Sequence, residues 1–230
     1  MPLFLVAAIF FIGLVSISAQ EAPSTSVSGG GVSVKGWTGQ IDAKEKTAGL
    51  SLNSAKFAKE GSGFHVTTGP AVTYWDPENT AKGDYTVSAT FTEPKYMSIN
   101  DHPHPYGIMI GGNDLGTEQQ SYLYCAAYGN GTFIVRGFGP APFQLGGRAP
   151  KVDAAVNKAA GVGQPVTQDI AITVKGDQVS CSINKKVVAS LNRSDVVGAG
   201  KLKSTDGIYG LRFAHNTDVM VTNFKKTKTQ

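Results

Sequence analysis

Residues 122–138 read YLYCAAYGNGTFIVRGF, and their alternation decides the fold class. A strand sends successive side chains to opposite faces. Period two therefore puts Tyr122, Tyr124, Ala126 and Tyr128 on one face, and Leu123, Cys125 and Ala127 on the other. The triplet Gly129-Asn130-Gly131 interrupts the run and signals a hairpin into a second strand over 132–138. The small apolar face suits a core. The tyrosine face suits a concave sheet that meets a ligand, where flat rings stack on sugars and hydroxyls bond them; alternatively the rings fill a core with their hydroxyls at its rim. A three-residue loop at 129–131 places Arg136 on the tyrosine face, whereas a two-residue loop would turn it away, because one residue of slip reverses a strand.

The same period recurs on both sides of this hairpin. Tyr85, Val87, Ala89 and Phe91 alternate with Thr86, Ser88, Thr90 and Thr92, and Phe64 and Val66 alternate with His65 and Thr67. Residues 106–110 run into Gly111-Gly112. Ile170, Ile172 and Val174 alternate before Gly176-Asp177, and Val179, Cys181 and Ile183 before an Asn184-Lys185 turn. Runs at 187–191, 207–214 and 219–224 complete at least nine strands. Only residues 152–160, rich in alanine and closed by Gly161, read as a short helix. The expected fold is all-β: an antiparallel two-sheet jelly-roll sandwich with one short helix.

Composition agrees. Glycine supplies 28 of the 230 residues, and charged residues are 17% against a typical level of about 25%, which excludes helical bundles and coiled coils. Apolar residues at 41% are enough for a sizeable core. The formal net charge is +4, with lysines scattered except at Lys225, Lys226 and Lys228. There is no basic stripe interleaved with aromatics, so nucleic acid is not the expected partner.

The N-terminus sets the compartment. Residues 3–15 form an uncharged apolar run of 13 residues, shorter than the roughly 20 needed to cross a bilayer, and small residues follow at Ser16, Ser18 and Ala19. This reads as a signal peptide over 1–19, with a retained anchor as the alternative. The expected product is secreted, periplasmic or extracellular, with no membrane span after signal removal. Residues 20–36 read as a flexible Ser/Gly/Pro-rich linker, and 37–230 as a single sandwich domain. Export permits disulfides. Cys125 and Cys181 both have inward parity and form either one bridge or two buried thiols. Sequons stand at Asn130 and Asn192.

The C-terminal pattern QDIAITVKGDQVSCSINKKVVASL, then GIYGLRF, then VMVTNFKKTK, resembles the closing strands of concanavalin A-like lectin/glucanase domains. The upstream GSGFHVTTGPAVTYW and GDYTVSATF resemble the opening strands of that superfamily's 3-keto-disaccharide hydrolase-like branch. The resemblance spans residues 50–228. It implies a jelly roll and, by analogy, hydrolysis of glycosides or 3-keto-glycosides. The E-x-D-x-x-E triplet of laminarinase-like members is not in the chain. The branch's Asn-Ser-Gly and Gly-Tyr-Glu-x-Gln steps are replaced by YGIMIGGNDLGTEQQSYLY, so no catalytic residue carries over.

The remaining candidates are local. In NDHPHPYG, His102 and His104 stand two apart beside Asp101, where extended backbone turns both imidazoles to one side to share a metal or a sugar hydroxyl; a stiff solvated loop is the alternative. Trp75, taken to end a strand before Asp76, is either a sugar platform at the rim or a plug at the end of the sandwich. Asp76, Asn79, Asn113 and Asp114 are calcium-type oxygen donors without dense spacing, and no other cofactor is implied. The leading expectation is a carbohydrate-binding face built from Tyr122, Tyr124, Tyr128 and Arg136, with His102, His104 and Trp75 on its rim. A glycoside-type hydrolase and a structural or adhesive surface module are the other two readings.

Overall fold

The computed structural model describes residues 22–139, 141–145 and 147–229. The expected signal peptide lies outside them. In chain order the strands are β1 (Gly31–Val32), β2 (Thr38–Ile41), β3 (Lys56–Glu60), β4 (Gly63–Thr67), β5 (Val72–Ala81), β6 (Tyr85–Glu93), β7 (Tyr106–Asn113) and β8 (Ser121–Ala127). They continue as β9 (Thr132–Phe138), β10 (Pro142–Gln144), β11 (Lys151–Val152), β12 (Val166–Lys175), β13 (Gln178–Ile183), β14 (Lys186–Asn192), β15 (Gly207–Phe213) and β16 (Asp218–Lys228). Two short helices, α1 (Ala43–Thr47) and α2 (Arg193–Val196), lie in connections.

One sheet runs β1-β3-β4-β16-β6-β12-β13-β14. The other runs β10-β9-β8-β7-β15-β5-β2, with β11 paired to β9. All strand pairs are antiparallel except β1 with β3. The main core lies between the sheets. The first contributes Phe57, Val87, Phe91, Ile170, Ile172 and Cys181; the second contributes Tyr74, Ile108, Leu123, Cys125, Leu211 and Phe213. This is the expected all-β sandwich.

The Cys125 and Cys181 side chains point into this core, and a disulfide joins them across the two sheets with Cα atoms 6.2 Å apart. The hairpin also follows the three-residue reading. Tyr128 N–H donates to Thr132 O, and Gly131 takes φ +88°, a left-handed conformation that glycine adopts without a Cβ penalty. Tyr124 therefore pairs with Arg136 and Ala126 with Ile134.

Three expectations are corrected. Residues 152–160 form no helix: Asp153 N–H donates to Gly131 O, Ala159 N–H to Gly129 O and Asn157 N–H to Gln168 Oε1, so the segment's amides are taken by the neighbouring hairpin and by β12. Residues 22–36, read as linker, are tied to the sandwich. Val27 N–H donates to Ser54 O, Thr25 bonds Asn216, and β1 pairs with β3. Trp75 and Asp76 do not end a strand, because β5 continues through them to Ala81 across an irregularity in β15 between Ile208 and Gly210.

Candidate functional site

The outer face of the second sheet carries its own apolar layer. Trp75, Met109, Tyr122, Tyr124, Ala126, Tyr128 and Ile134 pack together there, away from the main core. The parity read from 122–128 is therefore right: leucine, cysteine and alanine face inward, and the tyrosines face outward. A groove of about 570 Å³ lies against this face. Its floor and walls include Tyr124, Tyr128, Phe138, Arg136, Arg212 and Asn130, and its end includes His102, His104 and His215.

The tyrosines are less open than the sequence suggested. Tyr122 is 1% exposed, Tyr124 6% and Tyr128 9%. The covering groups are Phe138 and Arg212. Phe138 shares the parity of Arg136 and stacks on Tyr122 at 4.9 Å and on Tyr124 at 6.2 Å. The Arg212 guanidinium lies over the Tyr124 ring at 5.7 Å and the Phe138 ring at 5.4 Å, within cation–π range. The Tyr122 hydroxyl turns down to Thr73 Oγ1, 2.9 Å away. Tyr122 and Trp75 are packed in the outer apolar layer and neither lines the groove, so both leave the set of expected contact residues.

Arg212 is the element the sequence reading missed. Leu211 and Phe213 face the core, so the strand period points Arg212 to the groove side. Its two terminal nitrogens donate to the two carboxylate oxygens of Asp42, both at 2.7 Å, and Nη1 also approaches Thr73 Oγ1 at 3.2 Å. Burial opposes the guanidinium's charge, but Asp42 outweighs it and holds Arg212 protonated. The fork geometry makes the pair rigid.

Arg136 reaches the groove half-buried, with Nη2 donating to the Arg148 carbonyl. Asn130 also lines it and turns its Oδ1 to Thr132. His102 and His104 converge as the extended-backbone reading required, with their Nε2 atoms 2.8 Å apart, but His104 is buried and not in a solvated loop. His215, 111 residues further along, stacks on His104 with ring centroids 4.2 Å apart. No local signal placed it there.

Three of the four calcium-type donors are engaged elsewhere. Asp76 accepts from the Glu78 amide, Asp114 pairs with Lys203, and Asn113 donates to the Gly111 and Asp206 carbonyls. None of them lines the groove.

No family model matches the sequence, and no curated protein matches it. Solved structures do resemble the fold. The carbohydrate binding module CBM66 from Bacillus subtilis superposes with a TM-score of 0.56 at 11% identity, covering 87% of this chain and 99% of that one. A Bacillus subtilis protein of unknown function with a galectin-like fold gives 0.56 at 13% identity, over 85% and 90%. A glycoside hydrolase family 16 endo-glucanase from Bacteroides ovatus gives 0.53 at 13% identity, over 80% and 92%. The two-sheet β-sandwich read from the strand period is thus a fold that these proteins share.

Proposed function

We propose that the chain is an exported carbohydrate-binding domain whose ligand lies in the groove on the outer face of the second sheet. One observation carries this reading. The groove sets aromatic surface from Tyr124, Tyr128 and Phe138 beside fixed polar groups on Arg136, Arg212 and Asn130. A sugar presents apolar C–H faces to rings and hydroxyls to such groups, and a concave site with few placed polar groups is the usual form of a small-ligand site. The fold shared with a carbohydrate binding module and with an endo-glucanase supports the class of ligand only at the level of architecture. The disulfide supports export to an oxidising compartment.

The groove does not supply what the hydrolase reading needs. Glycoside hydrolysis uses two carboxyl groups about 5–10 Å apart. Among the described residues lining the groove, Asp42 is the one carboxylate, and Arg212 holds both its oxygens. A glycan array probed with the secreted chain, followed by product analysis of every hit, tests the reading. Retained, uncleaved glycan is expected. Cleavage would restore the hydrolase, and a blank array would remove the carbohydrate reading.

A further inference from the structure

The end of the groove carries a second chemistry. His102, His104 and His215 each offer a ligand nitrogen, and the three atoms lie within 4.8 Å of one another. The hydrogen bonds around them fix which nitrogens hold protons. His104 Nδ1 contacts the His215 backbone carbonyl, which only accepts, so that nitrogen carries the hydrogen. His102 Nδ1 lies 2.5 Å from Asp101 Oδ1, and a carboxylate likewise accepts. The Nε2 atoms of His102 and His104 face each other at 2.8 Å, and an ion placed among the three nitrogens would be held by all of them.

The surroundings are those of a metal ligand set. Ligating histidines characteristically donate their other ring nitrogen to a carboxylate or a backbone carbonyl, which fixes the tautomer and raises basicity. His102 has the carboxylate and His104 the carbonyl. Two nitrogens held about 2.0–2.1 Å from a tetrahedral ion stand about 3.3 Å apart, so the pair at 2.8 Å opens by about half an ångström to admit one. Three imidazoles select a borderline divalent transition ion over calcium or magnesium, which take oxygen ligands.

We propose that His102, His104 and His215 form a binding site for one divalent transition-metal ion of the zinc class at the end of the groove. Asp101 orients His102 from behind. The proposal does not depend on the groove's occupant being a sugar.

The test uses the untagged secreted chain, stripped with a chelator and titrated with zinc by calorimetry and with cobalt by visible absorption. One ion per chain is expected, with a rise in thermal midpoint on zinc addition. His102 is partly exposed, so His102→Ala should fold, as far-UV circular dichroism checks, and should lose stoichiometric uptake. Asp101→Asn should weaken uptake about 10–100-fold, as outer partners of ligands do. His65 lies outside the cluster between Glu60 and Asp218, and His65→Gln should bind normally. No uptake by the folded wild type, or equal uptake by wild type, His102→Ala and His215→Gln, would overturn the site.

Discussion

Asp42 and Arg212, 170 residues apart, meet in a two-pronged ion pair with both N–O distances at 2.7 Å, beneath the wall of the groove. The pair joins the residue after β2 to the C-terminal end of β15 and holds the guanidinium over Tyr124 and Phe138. Removing one partner of a buried pair leaves an uncompensated charge, which costs about 3–5 kcal/mol. Asp42→Ala should therefore lower the urea midpoint by that equivalent. A change below about 1 kcal/mol would mean that water already screens the pair.

Tyr124→Ala separates an open platform from a packed one. The ring is 6% exposed, and Phe138 and Arg212 lie against it. Its truncation should cost about 3–5 kcal/mol, as for buried aromatics. Leu123→Ala, on the opposite face, should cost about 2–5 kcal/mol. Urea denaturation of both variants checks this. A Tyr124→Ala cost near zero would place the ring in solvent.

The Cys125–Cys181 bridge closes a loop with a sequence separation of 56. Chain entropy assigns about 4 kcal/mol to a loop of that length. Native mass should fall short of the reduced mass by two hydrogens, and reduction should lower the denaturation midpoint accordingly. Two thiols alkylated rapidly without denaturant would contradict both the bond and its burial.

Glu93 gives the chain a pH dependence. Burial pushes its carboxyl up to about 7, the nearby Asp218 charge adds to this, and the Met97 amide it accepts from offsets part. A raised folded pKa means the folded state holds the proton more tightly. The stabilising contribution is thus full below about pH 4.5, the carboxyl's ordinary value, and lost as pH rises through about 7. The loss should be about 3 kcal/mol, reduced where solvent screens the carboxyl, and should disappear in Glu93→Gln. A wild-type stability that rises between pH 5 and 7 through this residue would reverse the sign and refute it.

Much of the fold was legible because strand period is a local signal. The 122–138 segment alone specified two strands, their turn, the face of Tyr124 and the inward cysteine, and left the face of Arg136 to the length of the loop. The site was legible only where it shared that period. Phe138 follows from Arg136 by two residues, and Arg212 from Leu211 and Phe213. Asp42 and His215 did not follow, because topology brings them in from 170 and 111 residues away. Exposure failed for the same reason: the side chains that cover Tyr124 come from β9 and β15, and no property of the tyrosine strand announces them. Residues 152–160 misled because alanine content favours helix only where the amides lack better partners.

The proposed carbohydrate lies in the groove beside Tyr124 and Arg136. Arg136 is half-buried at the groove wall, so its truncation should leave the fold intact. The decisive measurement is calorimetric titration of the best array glycan into wild type and into Arg136→Ala, with thermal midpoints matched. A weakening of at least about tenfold is expected, the loss of one or two hydrogen bonds to a charged group. Equal affinity in the two proteins would place the sugar elsewhere and contradict it.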